Sequence, residues 1–182
     1  MTLAPENPTI RVATEADLPI LRDLIERSCR VLQANDYTPA QLDGALGHAL
    51  GVDTQLIRDR TYFVAEIDQK TVACGGWSFR KTLFGSDGGP DRIPEPLDPK
   101  TDAAKIRAIF VHPDNARQGL GSLVLKHCED AAAAAGFTRL EMGSTLTGVP
   151  LYRLRGYVEV QQVNVPLPNR EVLPVIKMVK HL

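Results

Sequence analysis

Cysteine is scarce in this sequence, and its spacing suggests no pairing. Cys29, Cys74 and Cys128 are odd in number and far apart, which argues against a disulfide framework. No C-x-x-C and no histidine cluster suggests zinc, so no metal site is expected. Each cysteine lies in an apolar pattern, the setting of a small buried hydrophobe rather than of a nucleophile. An excess of one charge is also missing: 21 Lys and Arg face 22 Asp and Glu, so no global field recruits nucleic acid or an anionic membrane. Nowhere do about 18 apolar residues follow one another, and no membrane-spanning helix is expected. The opening MTLAPENPTI has no basic region followed by an apolar stretch, so a cytoplasmic protein is expected. Internal repeats, low-complexity tracts and linkers are absent as well. With 182 residues, 43% of them hydrophobic, the expectation is one domain spanning 1–182 around a sizeable core.

The densest information lies in the run 106–125, IRAIFVHPDNARQGLGSLVL. An apolar, strand-like segment breaks at Val111-His112-Pro113, passes a short polar loop and reaches Gly119-Leu120-Gly121 where a helical pattern begins. Glycines let the backbone turn tightly and approach a ligand, and the unpaired N–H groups of a new helix carry its positive dipole end. Such an order suits an anion, phosphate above all. Two better-known phosphate motifs do not fit. The dinucleotide fingerprint needs a third glycine and an acidic residue roughly 20 positions on, and the P-loop needs Gly-Lys-Ser/Thr, whereas Ser122 follows Gly121 directly.

Around this run the pattern changes period several times. Residues 9–13 alternate as a first strand, and Thr14 with Asp17 three residues later reads as a helix start. Leu18, Leu21, Ile25, Cys29 and Leu32 recur at helical spacing, predicting a helix of about 17 residues. Thr38-Pro39-Ala40-Gln41 has capping-box spacing with proline at the first helical position, and predicts a short helix to about His48. Residues 61–67 and 70–80 read as a hairpin about Asp68-Gln69. Inside it, Gly75 and Gly76 mark a bulge or a close approach to the backbone, and Trp77 is a core residue. Residues 81–103 hold much of the proline and glycine, with five acidic against two basic side chains after Leu83. So long a loop is a lid, a wall of a binding site, or disorder.

After the Gly119 loop, Val124, Cys128, Ala131 and Ala135 form one helix face that Gly136 ends. A strand over 138–142, a helix over 147–154 and strands over 157–163 and 171–180 complete the chain, with Pro166 to Asn169 as a loop. This is a mixed α+β arrangement.

The strand, the V-x-P and the A-R-Q-G-L-G-S from Ala116 to Ser122 together resemble the coenzyme A pyrophosphate loop of the GNAT family of N-acetyltransferases. That loop is written [Q/R]-x-x-G-x-[G/A], and Ala116 stands at its first position. Leu151-Tyr152-Arg153-Leu154-Arg155-Gly156-Tyr157 is similar to the family's Y-x-x-x-G-[F/Y]. Thr145 stands where the family tends to place an Asn seven residues before the tyrosine. The resemblance spans nearly the whole chain. It implies the GNAT fold: a mostly antiparallel mixed sheet of about seven strands, splayed between the fourth and fifth and flanked by about four helices. It also implies acetyl-CoA as co-substrate, bound by Arg117, Gln118, Gly119, Leu120, Gly121 and Ser122, with Thr145 nearby. The backbone of Ile109, Phe110 and Val111 would take the thioester and the pantetheine arm, and Tyr152 would stand beside the sulfur.

Acetyl transfer from a thioester to an amine needs an uncharged amine, a polarised carbonyl and a proton for the departing thiolate. Tyr152 is a proton donor of suitable basicity, about 10 in model peptides. Unpaired strand amides at a splay suit the carbonyl. A base is harder to place: the fourth strand offers Lys105 and Arg107 but no acid, and His112, Glu66, Glu141 and Asp36 remain beside a water relay. Arg107 is a candidate for an anionic part of the acceptor. The expected partner is the primary amine of a small molecule or peptide, with transfer direct and without acetyl-cysteine; a homodimer stays open. Two other readings of the same motifs are a coenzyme-binding module without turnover and a transferase for another acyl chain or an oxygen acceptor.

Overall fold

The computed structural model describes residues 7–182, so most of the stretch read above for a leader lies outside it. The chain runs β1 (Thr9–Val12), α1 (Leu18–Leu32), α2 (Pro39–Ala45), α3 (Thr54–Arg58), β2 (Tyr62–Ile67), β3 (Lys70–Ser78), β4 (Ala104–Val111), α4 (Leu120–Ala134), β5 (Arg139–Thr145), α5 (Val149–Leu154), β6 (Val158–Pro166) and β7 (Val172–His181). Short 3-10 turns precede α1 and follow β4. The seven strands form one sheet in the order β1-β2-β3-β4-β5-β7-β6. Every neighbouring pair is antiparallel except β4 with β5.

Local chemistry sets most boundaries. Thr38 and Gln41 form a reciprocal capping box, with Pro39 opening α2, so two orphan donors are satisfied at its start. Asp68 and Gln69 turn the β2–β3 hairpin with φ of 50° and 62°, the left-handed pair that matches strand twist. Arg11 on β1 donates to both Asp17 and Glu66, tying β1 to the start of α1 and to β2. The five-residue α3 has no counterpart in the sequence reading, because one turn is too short to display a 3.6-residue period.

The sheet separates two cores. One holds Leu21, Leu24, Ile25 and Cys29 of α1 against Tyr62, Cys74 and Phe110. The other holds Val124, Leu125 and Cys128 of α4 with Trp77, Leu140, Tyr152 and Tyr157. Trp77 packs edge-on to Phe79 and Phe137, the core role expected of it. Residues 79–97 fold back on themselves: Lys81 N donates to Glu95 O (3.0 Å), Thr82 N to Ile93 O (3.0 Å) and Leu97 N to Phe79 O (2.7 Å). Of the alternatives the sequence allowed, this segment is a folded flap lying against the stretch between α2 and α3, where Ser86 N donates to His48 O (2.9 Å) and Asp87 N to Val52 O (3.1 Å).

Candidate active site

The site begins where two strands part. β4 and β5 are registered only at Ala104↔Leu140 and Lys105↔Glu141, and beyond that β4 has no partner on its β5 side. On its other side β4 carries a bulge: Gly76 pairs with Arg107 and Cys74 with Phe110, so Ala108 and Ile109 together face Gly75. Ala108 has a φ of 50°, a conformation that costs an L-residue about 1–2 kcal/mol. Its neighbours hold it there. The Tyr62 hydroxyl donates to Ala108 O at 2.9 Å. A side chain on Gly75 would meet Ile109 Cγ1 and Val124 Cγ1 at 2.7 Å, and one on Gly76 would meet Thr61 O at 2.6 Å. Of the two glycines that looked out of place in a strand, Gly75 lets the bulge close against β3, and Gly76 lets β3 close against Thr61 and Tyr62.

Between the parted strands lies a cavity of about 70 Å³. Its floor is β4 from Ile106 to Phe110, and Met142 to Thr145 of β5 form the facing wall. Tyr152 of α5, Gln33 at the end of α1, Ala49 to Gly51, and Leu83 to Gly85 of the flap close it. Tyr152 is 8% exposed and edge-on to Tyr157, with ring centroids 5.8 Å apart. No hydrogen bond from a described residue perturbs its hydroxyl; burial raises its pKa, with Cys128 adding to the effect. The phenol therefore keeps its proton. Thr145 Oγ1 accepts from Gly148 N at 3.2 Å and so fixes the turn into α5. Ile109, Phe110 and Val111 sit at the splay; Phe110 buries its side chain in the α1-side core, and Ile109 and Val111 pack toward the α4 side.

Gly119 caps α4 in the left-handed region (φ 80°), and Arg117 two residues earlier has φ 64°. Nothing lies within 4 Å of a Cβ built on Gly119. That leaves an open cradle in front of the first-turn N–H groups, which have no intrahelical acceptor. Arg117, Gln118 and Gly119 are exposed there. Leu120 is 3% exposed and belongs to the core, so only its backbone faces the loop. A Cβ on Gly121 points instead at Leu151 Cδ2, 3.2 Å away, and at Val111 Cγ2, 3.7 Å away. Its smallness lets α4 approach α5. Ser122 Oγ accepts from Arg155 Nε at 3.1 Å, bracing the two motif segments together.

Arg107, the sequence's candidate for an anionic part of the acceptor, turns inward onto the protein's own groups. It is 3% exposed, donating to Asp53 Oδ2 (2.7 Å), Gly85 O (2.6 Å) and Thr82 O (3.2 Å). Asp53, the capping residue of α3, also accepts from Arg92 of the flap at 2.9 Å. The guanidinium is already committed to the protein. None of the four base candidates lines the cavity. His112 Nδ1 accepts from Asp114 N (3.2 Å), and Glu66 is held by Arg11. Glu141 lies between Lys105 and Lys177, and Asp36 accepts from Thr147 Oγ1 (2.6 Å). All three cysteines are free and buried; burial pushes the thiols of Cys29 and Cys74 up to about 12, and that of Cys128 up as well. Among the described residues no group of three or more His, Cys, Asp or Glu could hold a metal ion, and no helix is long and apolar enough to cross a membrane.

Sequence reasoning marked the bulge from its β3 side, without Ala108, and missed the Asp53 ion centre and Gln33. Gly75-Gly76 signalled the first; the others depend on contacts between distant segments that no local pattern encodes.

Comparison with known proteins agrees with this geometry. The family model described as "Acetyltransferase (GNAT) family" matches residues 24–157. No curated protein sequence matches significantly. Among solved structures, the GCN5-related N-acetyltransferase of Rhodopseudomonas palustris superposes with a TM-score of 0.70 at 20% identity, covering 100% of both chains. The PaiA N-acetyltransferase of Thermoplasma acidophilum, solved with coenzyme A, gives 0.63 at 12% identity over 97% of this chain and 100% of its own. YncA of Salmonella typhimurium, solved with its cofactor acetyl-CoA, gives 0.64 at 18% identity over 97% and 95%.

Proposed function

We propose that this chain, which belongs to the GNAT acetyltransferase family, is a cytoplasmic enzyme that transfers the acetyl group of acetyl-CoA directly to a primary amine of a small molecule or peptide. One observation carries the reading: the β4–β5 splay opens a cavity with the bulged β4 backbone on one side, Tyr152 on the other and the open Gly119 cradle nearby. The residues present fit the coenzyme. Backbone N–H groups of Arg117 to Ser122 at the start of α4 suit its pyrophosphate, and the free β4 edge from Ile109 to Val111 suits the arm's amides as an added strand would.

When bound, acetyl-CoA supplies an acyl thioester, and its sulfur leaves as a thiolate. The protein's part is to hold the arm and carbonyl by β4 amides that cost no reorganisation, and to keep a proton on Tyr152 for the sulfur. With no carboxylate or imidazole in the cavity wall, the amine loses its proton to water before or as it enters. Buried thiols with raised pKa values are poor nucleophiles, which favours direct transfer. The free cysteines also suit a reducing compartment.

Free-thiol release from acetyl-CoA, measured against a panel of amines with both substrates varied, tests this. Intersecting initial-rate lines and a product heavier by one acetyl group are expected. Parallel lines, or loss of turnover in Cys→Ala variants, would show a covalent route, and a protein that binds acetyl-CoA but acetylates no amine would be a binding module instead.

A further inference from the structure

Gln33 is 5% exposed and stands in the cavity wall. Its backbone is pinned at the end of α1, with its N–H on Cys29 O (3.2 Å) and its carbonyl accepting from Asp36 N and Tyr37 N (3.1 and 3.0 Å). Its amide nitrogen is taken by Cys29 Sγ at 3.7 Å. Its carboxamide oxygen is the one buried side-chain polar atom without a protein partner among the described residues. Folding does not leave such a group unmet without cause: an unpaired buried acceptor costs about 1–3 kcal/mol. The rest of the wall offers little polarity to compete with it. Arg107 is its only charged residue, and that charge is neutralised by Asp53 at 2.7 Å. A carboxylate entering the cavity would therefore find no free cation, whereas an N–H or O–H would find Gln33.

We propose that Gln33 is the acceptor-recognition residue. Its Oε1 accepts an N–H or O–H from the incoming amine substrate, and the cavity selects acceptors that carry such a donor beside the reacting amine and no carboxylate. This rests on the transferase reading above. Among candidate acceptors it favours amino alcohols and amino amides over free amino acids.

The test uses primary amines in matched sets: one with a neighbouring hydroxyl or amide N–H, its O- or N-methylated counterpart of similar size, and the corresponding amino acid. The parent should prefer the first, by roughly tenfold in kcat/KM, the scale of one hydrogen bond to a buried group. Gln33→Met keeps length and volume but removes the oxygen. It should raise the acceptor KM about tenfold and erase the preference within each pair, while leaving the KM for acetyl-CoA within about twofold. Because the variant loses an unmet buried acceptor, its unliganded Tm should hold or rise. A fall in Tm of more than about 2–4 °C would make Gln33 a structural residue and overturn the proposal. So would an active parent whose preferences survive Gln33→Met, or which prefers the amino acid. A parent inactive with every amine is a different failure, that of the transferase reading itself.

Discussion

Among the described residues the Tyr152 hydroxyl is the one buried phenol with a cavity before it and no protein partner; Tyr37 donates to Pro174 O, Tyr62 to Ala108 O and Tyr157 to Glu129. Burial raises the pKa of Tyr152, so the phenol stays protonated through the neutral range and is held as a donor facing the cavity. Tyr152→Phe keeps the ring contact with Tyr157 and removes the proton. Acetyl-CoA binding by calorimetry should be nearly unchanged, while single-turnover transfer falls by roughly 10²-fold or more; equal rates would reduce Tyr152 to a packing residue. The same burial fixes the sign of the pH profile. The reacting amine must be uncharged and nothing in the cavity wall accepts its proton, so kcat/KM for the acceptor should climb with pH, following the acceptor's own ammonium. Tyr152 ionises above its ordinary range, so no falling limb is expected below about pH 10. A bell whose basic side lies near neutrality would require an acid other than Tyr152.

At the scale of elements, the bulge in β4 and the head of α4 do different work, and their glycines separate them. Gly119 faces open space in a left-handed conformation, whereas Gly121 faces Leu151. A side chain at Gly119 therefore meets strain and any bound anion but no neighbour, and one at Gly121 meets α5. Gly119→Val should lose about 1–2 kcal/mol of stability from its positive φ, with a larger loss in coenzyme A affinity. Gly121→Val should invert the balance, loosening the α4–α5 contact more than it obstructs the ligand. Denaturant unfolding beside calorimetric titration of both variants reads the split, and equal ratios of the two losses would refute it. The sequence alone treated Gly119 and Gly121 alike, as glycines that let the backbone approach a ligand. A G-x-G pattern says that small residues are needed but not which side of the backbone is crowded. Patterns with a local cause were legible: the Thr38–Gln41 capping box, the Asp68-Gln69 turn, the α1 face and the glycine pair opposite the bulge. The flap at 79–97 was not, because its order comes from main-chain bonds between segments far apart in sequence. Gln33 was hidden for the same reason: its role depends on what surrounds it.

At the scale of the whole molecule, a buried charge centre joins three segments around the site. Asp53 starts α3, Arg107 lies on β4 and Arg92 lies in the flap, so three segments meet at a carboxylate that is 1% exposed. Removing water from such a group is expensive, and a buried ion pair contributes little net stability over well-packed apolar side chains. Breaking one half of it is another matter. Asp53→Ala would leave Arg107 buried with only carbonyl partners, which should cost about 3–5 kcal/mol and free the flap from Arg92. Replacing both partners, Asp53→Leu with Arg107→Met, removes the stranded charge, and Arg92, 29% exposed in its side chain, can turn to solvent. The double variant should therefore be more stable than the single Asp53→Ala protein, with a coupling of about 1–3 kcal/mol in the cycle of Asp53→Leu and Arg107→Met. Acceptor KM should rise even where stability recovers, since Leu83, Phe84 and Gly85 of the flap wall the cavity and Arg107 anchors them through Thr82 and Gly85. Additive stability losses, or a double variant with parental acceptor KM, would show that the flap keeps its place by its own main-chain bonds and that the ion centre only fills space beneath it.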